Sequence, residues 1–227
     1  MSILSAHQPC YLPWLGYFNK IVNSDIFVIL DDVQFEKNSY INRVQIKTPQ
    51  GAHWLTIPVQ MKGHTEKSIN EIDVVGHGWR EKHQKTLVCN YARAEHFDED
   101  FINFPVLWGE YLVHWLWHFL FEIMNIMELH TSTICGQPDI AGQKQDLIIN
   151  LCKYYKADTF LFGAKGRDYV DVDLFKRHGI KPVFQDFKCV EYPQLWGDFI
   201  PGLSVIDALF NVGPEKTKEL ICQGFSL

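Results

Sequence analysis

The sequence predicts a mixed α/β fold with a largely parallel sheet, flanking helices and a mainly helical middle section. Short apolar runs alternate with helical patterns at both ends of the 227-residue chain, as in parallel strands joined by crossover helices. Two long stretches of helical periodicity lie between them. We therefore expect a single domain over 1–227, with an N-terminal α/β part (1–77), a helical part (78–130) and a C-terminal α/β part (131–227). One sheet is expected to take strands from both ends.

The N-terminal part predicts a strand, a loop, a helix and a second strand. The run at 2–6 is mostly apolar, and apolar residues follow Pro13 at helical spacing up to residue 22. The run IFVIL at 26–30 is typical of a strand buried on both faces. Further strands are predicted at 44–47, 54–59 and 69–75, the first two forming a hairpin around TPQGA.

The rest of the chain predicts helices and strands in alternation after a helical centre. The segment TSTICGQPDIAG is expected to be a loop because it holds Gly and Pro without periodicity. Helices are predicted at 78–94, 101–127, 143–156, 172–178, 204–210 and 214–222, and strands at 159–162 and 182–187.

Composition and charge exclude several classes of protein. Hydrophobic residues make up 47% of the chain, which is enough for a sizeable core. The net charge of −6 argues against a nucleic-acid binder, so no nucleic-acid partner is expected. Six single cysteines without a CxxC pair, and an N-terminus unlike a signal peptide, predict a cytoplasmic protein with reduced thiols.

The apolar segment 104–127 is long enough to span a bilayer. Four polar residues, Glu110, His114, His118 and Glu122, lie on one stripe of it, and charges at bilayer depth are costly. A buried helix with one wet face explains the pattern better, so no stable membrane insertion is expected. The spacing of the two histidines also suits a metal, but the solvent face of an amphipathic helix looks the same and is the favoured interpretation.

A first candidate cluster follows the first strand. His7, Gln8, Tyr11 and Trp14 lie where this strand gives way to a helix. Ligands of open parallel sheets bind at the carboxyl ends of strands, and a helix N-terminus there attracts phosphate. His7 is suited to act as a general base or to donate to a phosphate. The alternative is that the loop only caps the strand and Trp14 only packs.

A second candidate cluster follows the strand IFVIL. The carboxylates of Asp31 and Asp32 can bind Mg²⁺ or orient an amine, and the cationic side chains of Lys37 and Arg43 can hold a phosphate. The alternative is a solvated turn with local ion pairs. The cluster consists of Asp31, Asp32, Gln34, Lys37, Asn42 and Arg43.

A third candidate cluster is the glycine-bordered loop GAKGRDY after the strand TFLF. Glycines permit close approach of the backbone to a ligand, although the pattern is not a Walker A motif. The alternative is an ordinary turn whose charges face water. The polar and glycine positions of interest are Gly163, Lys165, Arg167, Asp168 and Tyr169.

The sequence resembles the WbqC-like family of bacterial proteins over nearly its whole length. The resemblance is carried by AHQPCYLPWLGYFNKI, SDIFVILDDVQFEKNSYINRVQIKTPQGAHWLTIPV, the helix around Lys82-His83 and Asn90-Tyr91, FGAKGRDYVD and PGLSVIDALFNVG. This family is associated with gene clusters for O-antigen, capsule and other surface polysaccharides. The resemblance therefore implies an enzyme of lipopolysaccharide or capsule biosynthesis that modifies a nucleotide-linked sugar by acyl or aminoacyl transfer to its amine.

Three hypotheses follow. In the first, a transferase uses His7 as general base and Asp31 or Asp32 to orient the amine or a metal. A diphosphate or an acyl carrier is then clamped by Arg43, Lys165 and Arg167. In the second, the protein is a Mg²⁺-dependent adenylating or nucleotidyl-transferring enzyme. In the third, it is a non-catalytic binding protein of a glycan-assembly complex. The sequence indicates no particular cofactor or oligomeric state. The catalytic hypotheses require the three clusters to surround one cavity.

Overall fold

A computed structural model describes residues 1–102, 109–136 and 140–223. Within these ranges the predicted fold class is confirmed, since helices flank a five-stranded parallel sheet. The strands are β1 (Ile3–His7), β2 (Ile26–Ile29), β3 (Arg43–Thr48), β4 (Gly51–Thr56), β5 (Ser132–Ile134), β6 (Thr159–Phe162) and β7 (Lys181–Phe184). The helices are α1 (Leu15–Val22), α2 (Gly78–Tyr91), α3 (Leu112–Ile126), α4 (Gln145–Tyr154), α5 (Val172–Arg177) and α6 (Val205–Cys222). Short 3₁₀ helices span His64–Glu66, Ile69–Glu71 and Ala164–Asp168.

The sheet has the strand order β5-β2-β1-β6-β7, with every neighbouring pair parallel. As expected, it joins the two ends of the chain, because Leu4 of β1 pairs with Ile26 on one side and Phe160 on the other. The chain winds outward from β1 through β2 to β5, then returns to the far side of β1 to form β6 and β7. The winding direction therefore reverses between β1 and β6, and open sheets bind ligands at such a switch point.

Each face of the sheet has its own apolar core. On one face, Phe27 and Ile29 pack into a large core built from α1, α2, α3, α6 and the hairpin. On the other, Leu4 and Phe160 pack against residues of α4 and α5. The alternation of side chains along β2 explains this division, since successive residues point to opposite faces. The helices hold β1 and β6 from both sides, which fixes the position of their carboxyl ends.

The predicted strand at 69–75 is wrong. Its first residues form the 3₁₀ helix Ile69–Glu71, preceded by a capping box in which Glu71 accepts from the Ser68 amide at 2.9 Å. Side-chain bonds of this kind offer the backbone an alternative to a ladder. Only isolated bridges follow, at Asp73 and Val74.

Two further differences concern the middle of the chain. Strand β5 lies inside the segment predicted as a loop, and its three residues pair with β2 at the edge of the sheet. The helix predicted to begin at residue 101 begins at Leu112 instead, and residues 101–102 form a turn. The stretch between them, 103–108, lies outside the described residues. In the described part of the chain, no helix combines the length and apolar character needed to cross a bilayer.

The hairpin and the last helix are confirmed with shifted boundaries. The second hairpin strand is Gly51–Thr56 rather than 54–59, and it pairs in antiparallel register with β3. The two predicted C-terminal helices join into α6, which kinks at Gly213. A φ of 78° at this position is one that glycine adopts readily.

Candidate functional site

A large cavity opens at the switch point of the sheet. It has a volume of about 1050 Å³ and takes its walls from the carboxyl ends of β1 and β6, from α1 and from the first turn of α4. We call it the switch-point cavity. Aromatic side chains, including Trp14, Tyr17, Phe160 and Tyr169, make up much of its surface. A cavity of this size and lining suits a small molecule with a planar or apolar part.

Among the described residues, the charged side chains that line the switch-point cavity are all cationic. Lys20, Lys144 and Lys165 line it, and no aspartate or glutamate among the described residues does. This is unexpected for a chain with a net charge of −6. Cationic groups in a concave, partly apolar site concentrate anions. The cavity is therefore suited to a negatively charged ligand.

His7 ends β1 and lies half-buried in the cavity wall. Its Nδ1 is 2.9 Å from the Gln8 carbonyl, and since a carbonyl only accepts, Nδ1 carries the proton and donates it. Nε2 is then the unprotonated nitrogen. Burial, and to a smaller extent the nearby charge of Lys20, lower the pKa of His7 to about 4. The imidazole is therefore neutral at pH 7 and can accept a proton.

Lys20, on α1, is a site residue that the sequence reasoning missed. Its side chain is only 5% exposed, and its Nζ donates to the Ala6 carbonyl at 2.7 Å. The amine also lies 5.9 Å from the centre of the Phe160 ring. Burial lowers the pKa of Lys20 to about 7, so this amine changes charge near neutral pH. The available signal was the spacing of Trp14, Tyr17 and Lys20, which puts all three on one helix face.

The first turn of α4 contributes a second element that the sequence analysis gave no role. Lys144 precedes the helix with a φ of 53°, and both Lys144 and Gln145 line the cavity. Helix N-termini present unpaired amides and a partial positive charge. Together with the lysines, this turn makes one wall of the cavity attractive to phosphate.

The glycine-bordered loop divides between ligand-facing and structural residues. Gly163, Lys165 and Tyr169 line the cavity. Arg167 instead donates to the carbonyls of Gln185 at 3.0 Å and Phe184 at 3.3 Å, which ties the loop to the end of β7. Asp168 is exposed and does not line the cavity.

The second candidate cluster does not gather at the switch-point cavity. Asp31 is buried, with Oδ2 accepting from the Gly136 amide at 3.4 Å and Oδ1 lacking a partner among the described residues. Burial raises the pKa of Asp31. Asp32 and Gln34 are exposed, and Gln34 donates to the Thr65 carbonyl at 2.7 Å. None of these three side chains lines the cavity.

The remaining members of that cluster line a separate cavity of about 360 Å³ beside the hairpin. Lys37, Asn42 and Arg43 meet there. Asn42 donates to the Ile57 carbonyl at 2.9 Å and thereby supports the base of the hairpin. The guanidinium of Arg43 lies 4.3 Å from the centre of the Trp54 ring. We call this the hairpin cavity.

The first cluster is also divided. Trp14 lines the switch-point cavity with His7. Tyr11, in contrast, is fully buried in the core, and its hydroxyl oxygen lies 2.9 Å from Nδ1 of His83. Gln8 contributes its carbonyl, which accepts from the Tyr17 hydroxyl at 3.2 Å. The structure thus brings parts of the first and third clusters together, and it places the second elsewhere. Among the described residues, no group of three or more His, Cys, Asp or Glu side chains is arranged to hold a metal ion.

These features define a doubly wound parallel α/β protein with a cationic cavity at its switch point. The chain belongs to the WbqC-like protein family, whose model matches residues 8–219. The match includes the three cavity lysines and begins one residue after His7. A protein of Mycobacterium tuberculosis (strain ATCC 25618 / H37Rv) described as "Uncharacterized protein Rv1507c" is 35% identical over 230 residues, which cover 95% of this chain and 96% of the relative. No solved structure gives a significant match.

Proposed function

We propose that the protein is a cytoplasmic transferase of surface-polysaccharide biosynthesis, which moves an acyl or aminoacyl group to the amine of a nucleotide-linked sugar. The observation that carries this proposal is the cationic, aromatic-lined cavity at the switch point. A nucleotide-sugar combines the two properties that this lining favours, a planar base and a diphosphate. The polysaccharide context comes from the family resemblance alone.

The chemistry of the transfer assigns one step to His7. The sugar amine attacks the carbonyl carbon of the activated acyl group, a C–N bond forms, and the bond to the leaving group breaks. Nε2 of His7 takes the proton from the nitrogen and passes it to the leaving group. Because Nδ1 is held by the Gln8 carbonyl, Nε2 is the nitrogen available for this step.

Lys20 links ligand binding to the basicity of His7. Burial lowers the pKa of His7, and the charge of Lys20 adds to this effect. A bound phosphate close to Lys20 offsets that charge and so removes the smaller of the two causes that lower the pKa of His7. The base therefore becomes stronger when the anionic substrate is in place.

The second cluster does not meet the requirement that all three clusters surround one cavity, because neither Asp31 nor Asp32 lines it. The transfer proposed here therefore uses neither carboxylate, and the adenylating alternative likewise has no carboxylate in the described lining to hold Mg²⁺. The binding-protein alternative predicts an exposed apolar patch in place of an enclosed polar cavity. No observation on the described residues favours either one over transfer.

Mass spectrometry of the reaction products tests the proposal. The protein is incubated with UDP-glucosamine and a panel of acyl-coenzyme A and aminoacyl thioester donors, and the nucleotide-sugar is examined for the mass of the added group. We expect acylation by the wild type and a loss of about 100-fold or more in His7→Ala. The exposed His130 supplies the matched control, His130→Ala. No added mass with any donor, or unchanged turnover in His7→Ala, would refute the proposal.

A further inference from the structure

The hairpin cavity has the lining of an anion site. Two of its side chains are cationic, Lys37 and Arg43, and no acidic residue among the described ranges lines it. The rest of its wall is mostly apolar, with Val59 and Met61 on one side. Such a combination suits an anionic group attached to an apolar or neutral body.

The two cations are not neutralised by the protein. In the described part of the chain, neither Lys37 nor Arg43 forms an ion pair with a carboxylate. Arg43 donates to the Asn38 carbonyl and stacks on Trp54, so the protein holds its planar guanidinium in place without cancelling its charge. A guanidinium held this way can bind a phosphate through two parallel hydrogen bonds.

A row of aromatic rings leads from the switch-point cavity to Arg43 of the hairpin cavity. Trp14 and Tyr40 line the switch-point cavity, and their ring centres are 5.2 Å apart. Tyr40 in turn lies 5.5 Å from Trp54, on which Arg43 stacks. Tyr40 is 39% exposed, so the middle of the row is accessible from solvent. The row therefore offers stacking surfaces to an extended ligand that reaches from one cavity toward the other.

We propose that the hairpin cavity is a second subsite, which binds a phosphate or diphosphate group of the co-substrate while its reactive end enters the switch-point cavity along the Trp14–Tyr40–Trp54 row. This inference rests on the proposed function, since a transferase needs a donor as well as an acceptor. Activated acyl donors commonly carry phosphate, as in acyl phosphates and thioesters of phosphopantetheine. The acceptor then occupies the switch-point cavity next to His7, and the donor reaches it from the hairpin side.

The methionines offer a direct readout of this subsite. Met61 lines the hairpin cavity, while Met124 and Met127 are buried in the core and Met1 is at the exposed N-terminus. In protein labelled with [¹³C-methyl]methionine, the Met61 signal is assigned by comparison with Met61→Leu. Coenzyme A and inorganic pyrophosphate serve as phosphate probes, and malonate as a carboxylate probe.

We expect both phosphate probes to shift the Met61 signal with saturation and malonate to bind at least about tenfold more weakly. The double variant Lys37→Gln/Arg43→Gln should weaken the response by at least about tenfold. The matched control replaces two exposed lysines, Lys62→Gln/Lys82→Gln, and should keep the response within about threefold. No shift with either phosphate probe, equal binding of malonate, or an unchanged response in the Lys37/Arg43 variant would overturn the proposal.

A second titration separates this inference from the proposed function. UDP-glucosamine binding to the switch-point cavity is measured by calorimetry on the same samples, and Lys20→Gln is expected to weaken it without affecting the Met61 response to coenzyme A. If coenzyme A shifts Met61 but no nucleotide-sugar binds, the second subsite stands and the proposed acceptor is wrong. If UDP-glucosamine binds but Met61 does not respond, the subsite is wrong and the acceptor proposal stands.

Discussion

The imidazole of His7 and the amine of Lys20 face one cavity, and burial holds both pKa values well below their usual range. His7 comes from the end of β1 and Lys20 from the helix that follows it, so the two positions are set by one strand-to-helix connection. No carboxylate lines the cavity in the described ranges to compensate them. Retaining a buried, uncompensated lysine costs stability, and a functional role for the amine would account for it.

Replacing Lys20 with an apolar residue of similar shape should stabilise the protein. The pKa of Lys20 falls from 10.5 to about 7 on folding, so between these pH values the unfolded chain binds a proton that the folded chain does not. Because the unfolded chain takes up this proton first, the free energy of unfolding falls as the pH falls from 10.5 to about 7. Below about pH 7 the loss of stability caused by Lys20 is complete. We expect Lys20→Met to raise the free energy of unfolding by about 1–3 kcal/mol at pH 7, measured by urea denaturation. The gain should shrink toward pH 10.5, and a gain independent of pH would contradict the assignment.

The histidines His7 and His83 should make the protein sensitive to acid. The pKa of His7 and that of His83 both fall from 6.5 to about 4 on folding, mainly through burial. The unfolded chain therefore takes up protons first, and the stability present above pH 6.5 is lost as pH falls toward 4. The free energy of unfolding is measured by urea denaturation at pH 7 and at pH 4.5. We expect its decrease between these pH values to be smaller in His7→Gln than in the wild type, by up to about 3 kcal/mol. Equal losses in wild type and variant would show that His7 does not titrate in this way.

A buried network around Asp207 should be important for stability. The Tyr91 hydroxyl donates to Asp207 at 2.7 Å and accepts from the Lys47 amide at 2.9 Å, which joins α2, α6 and the hairpin. Tyr91→Phe leaves both partners short of a hydrogen bond in the core, and we expect a loss of about 2–4 kcal/mol in the free energy of unfolding. Tyr154→Phe, at a side chain that is 58% exposed, is the control and should change it by less than about 0.5 kcal/mol. Equal effects of the two variants would argue against the network.

Gly166 should resist substitution for a reason of packing. A Cβ at this position would lie 2.8 Å from Cβ of Phe162, and Phe162 forms part of the cavity wall. We expect Gly166→Ala to lower the free energy of unfolding by about 1–3 kcal/mol, seen as a lower melting temperature. At Gly163 an added Cβ meets no atom within 4 Å, so Gly163→Ala should change stability by less than about 0.5 kcal/mol. A Gly166→Ala protein as stable as wild type would show that the loop can move away from β6.

The sequence predicted the elements with strong local patterns. The first strand, helix and second strand follow from a continuous apolar run and helical spacing. Their position at the carboxyl end of a parallel strand made His7 and Trp14 candidate site residues. It could not predict the fate of Asp31, because neighbouring residues after a strand can turn to opposite sides and one of them entered the core. It also could not show that Lys37 and Arg43 follow the hairpin away from the main sheet. That separation depends on tertiary packing.

The largest omission was Lys20. A lysine within an amphipathic helix usually extends to solvent, so the spacing that puts Lys20 on the face of Trp14 and Tyr17 was not enough to single it out. Its burial results from β6, which returns from the far end of the chain to pair with β1 and brings Phe160 close to the amine. Short edge strand β5 was missed for a related reason, since three residues carry too little periodicity to be distinguished from a loop.

The most direct measurement is a calorimetric titration of UDP-glucosamine into wild type, Lys20→Met and the exposed-lysine control Lys153→Gln. The switch-point cavity should give one binding site in the wild type, with affinity reduced by at least about tenfold in Lys20→Met, unchanged in Lys153→Gln and weakened by salt. The absence of binding to the wild type, or equal affinity in the wild type and Lys20→Met, would contradict the account.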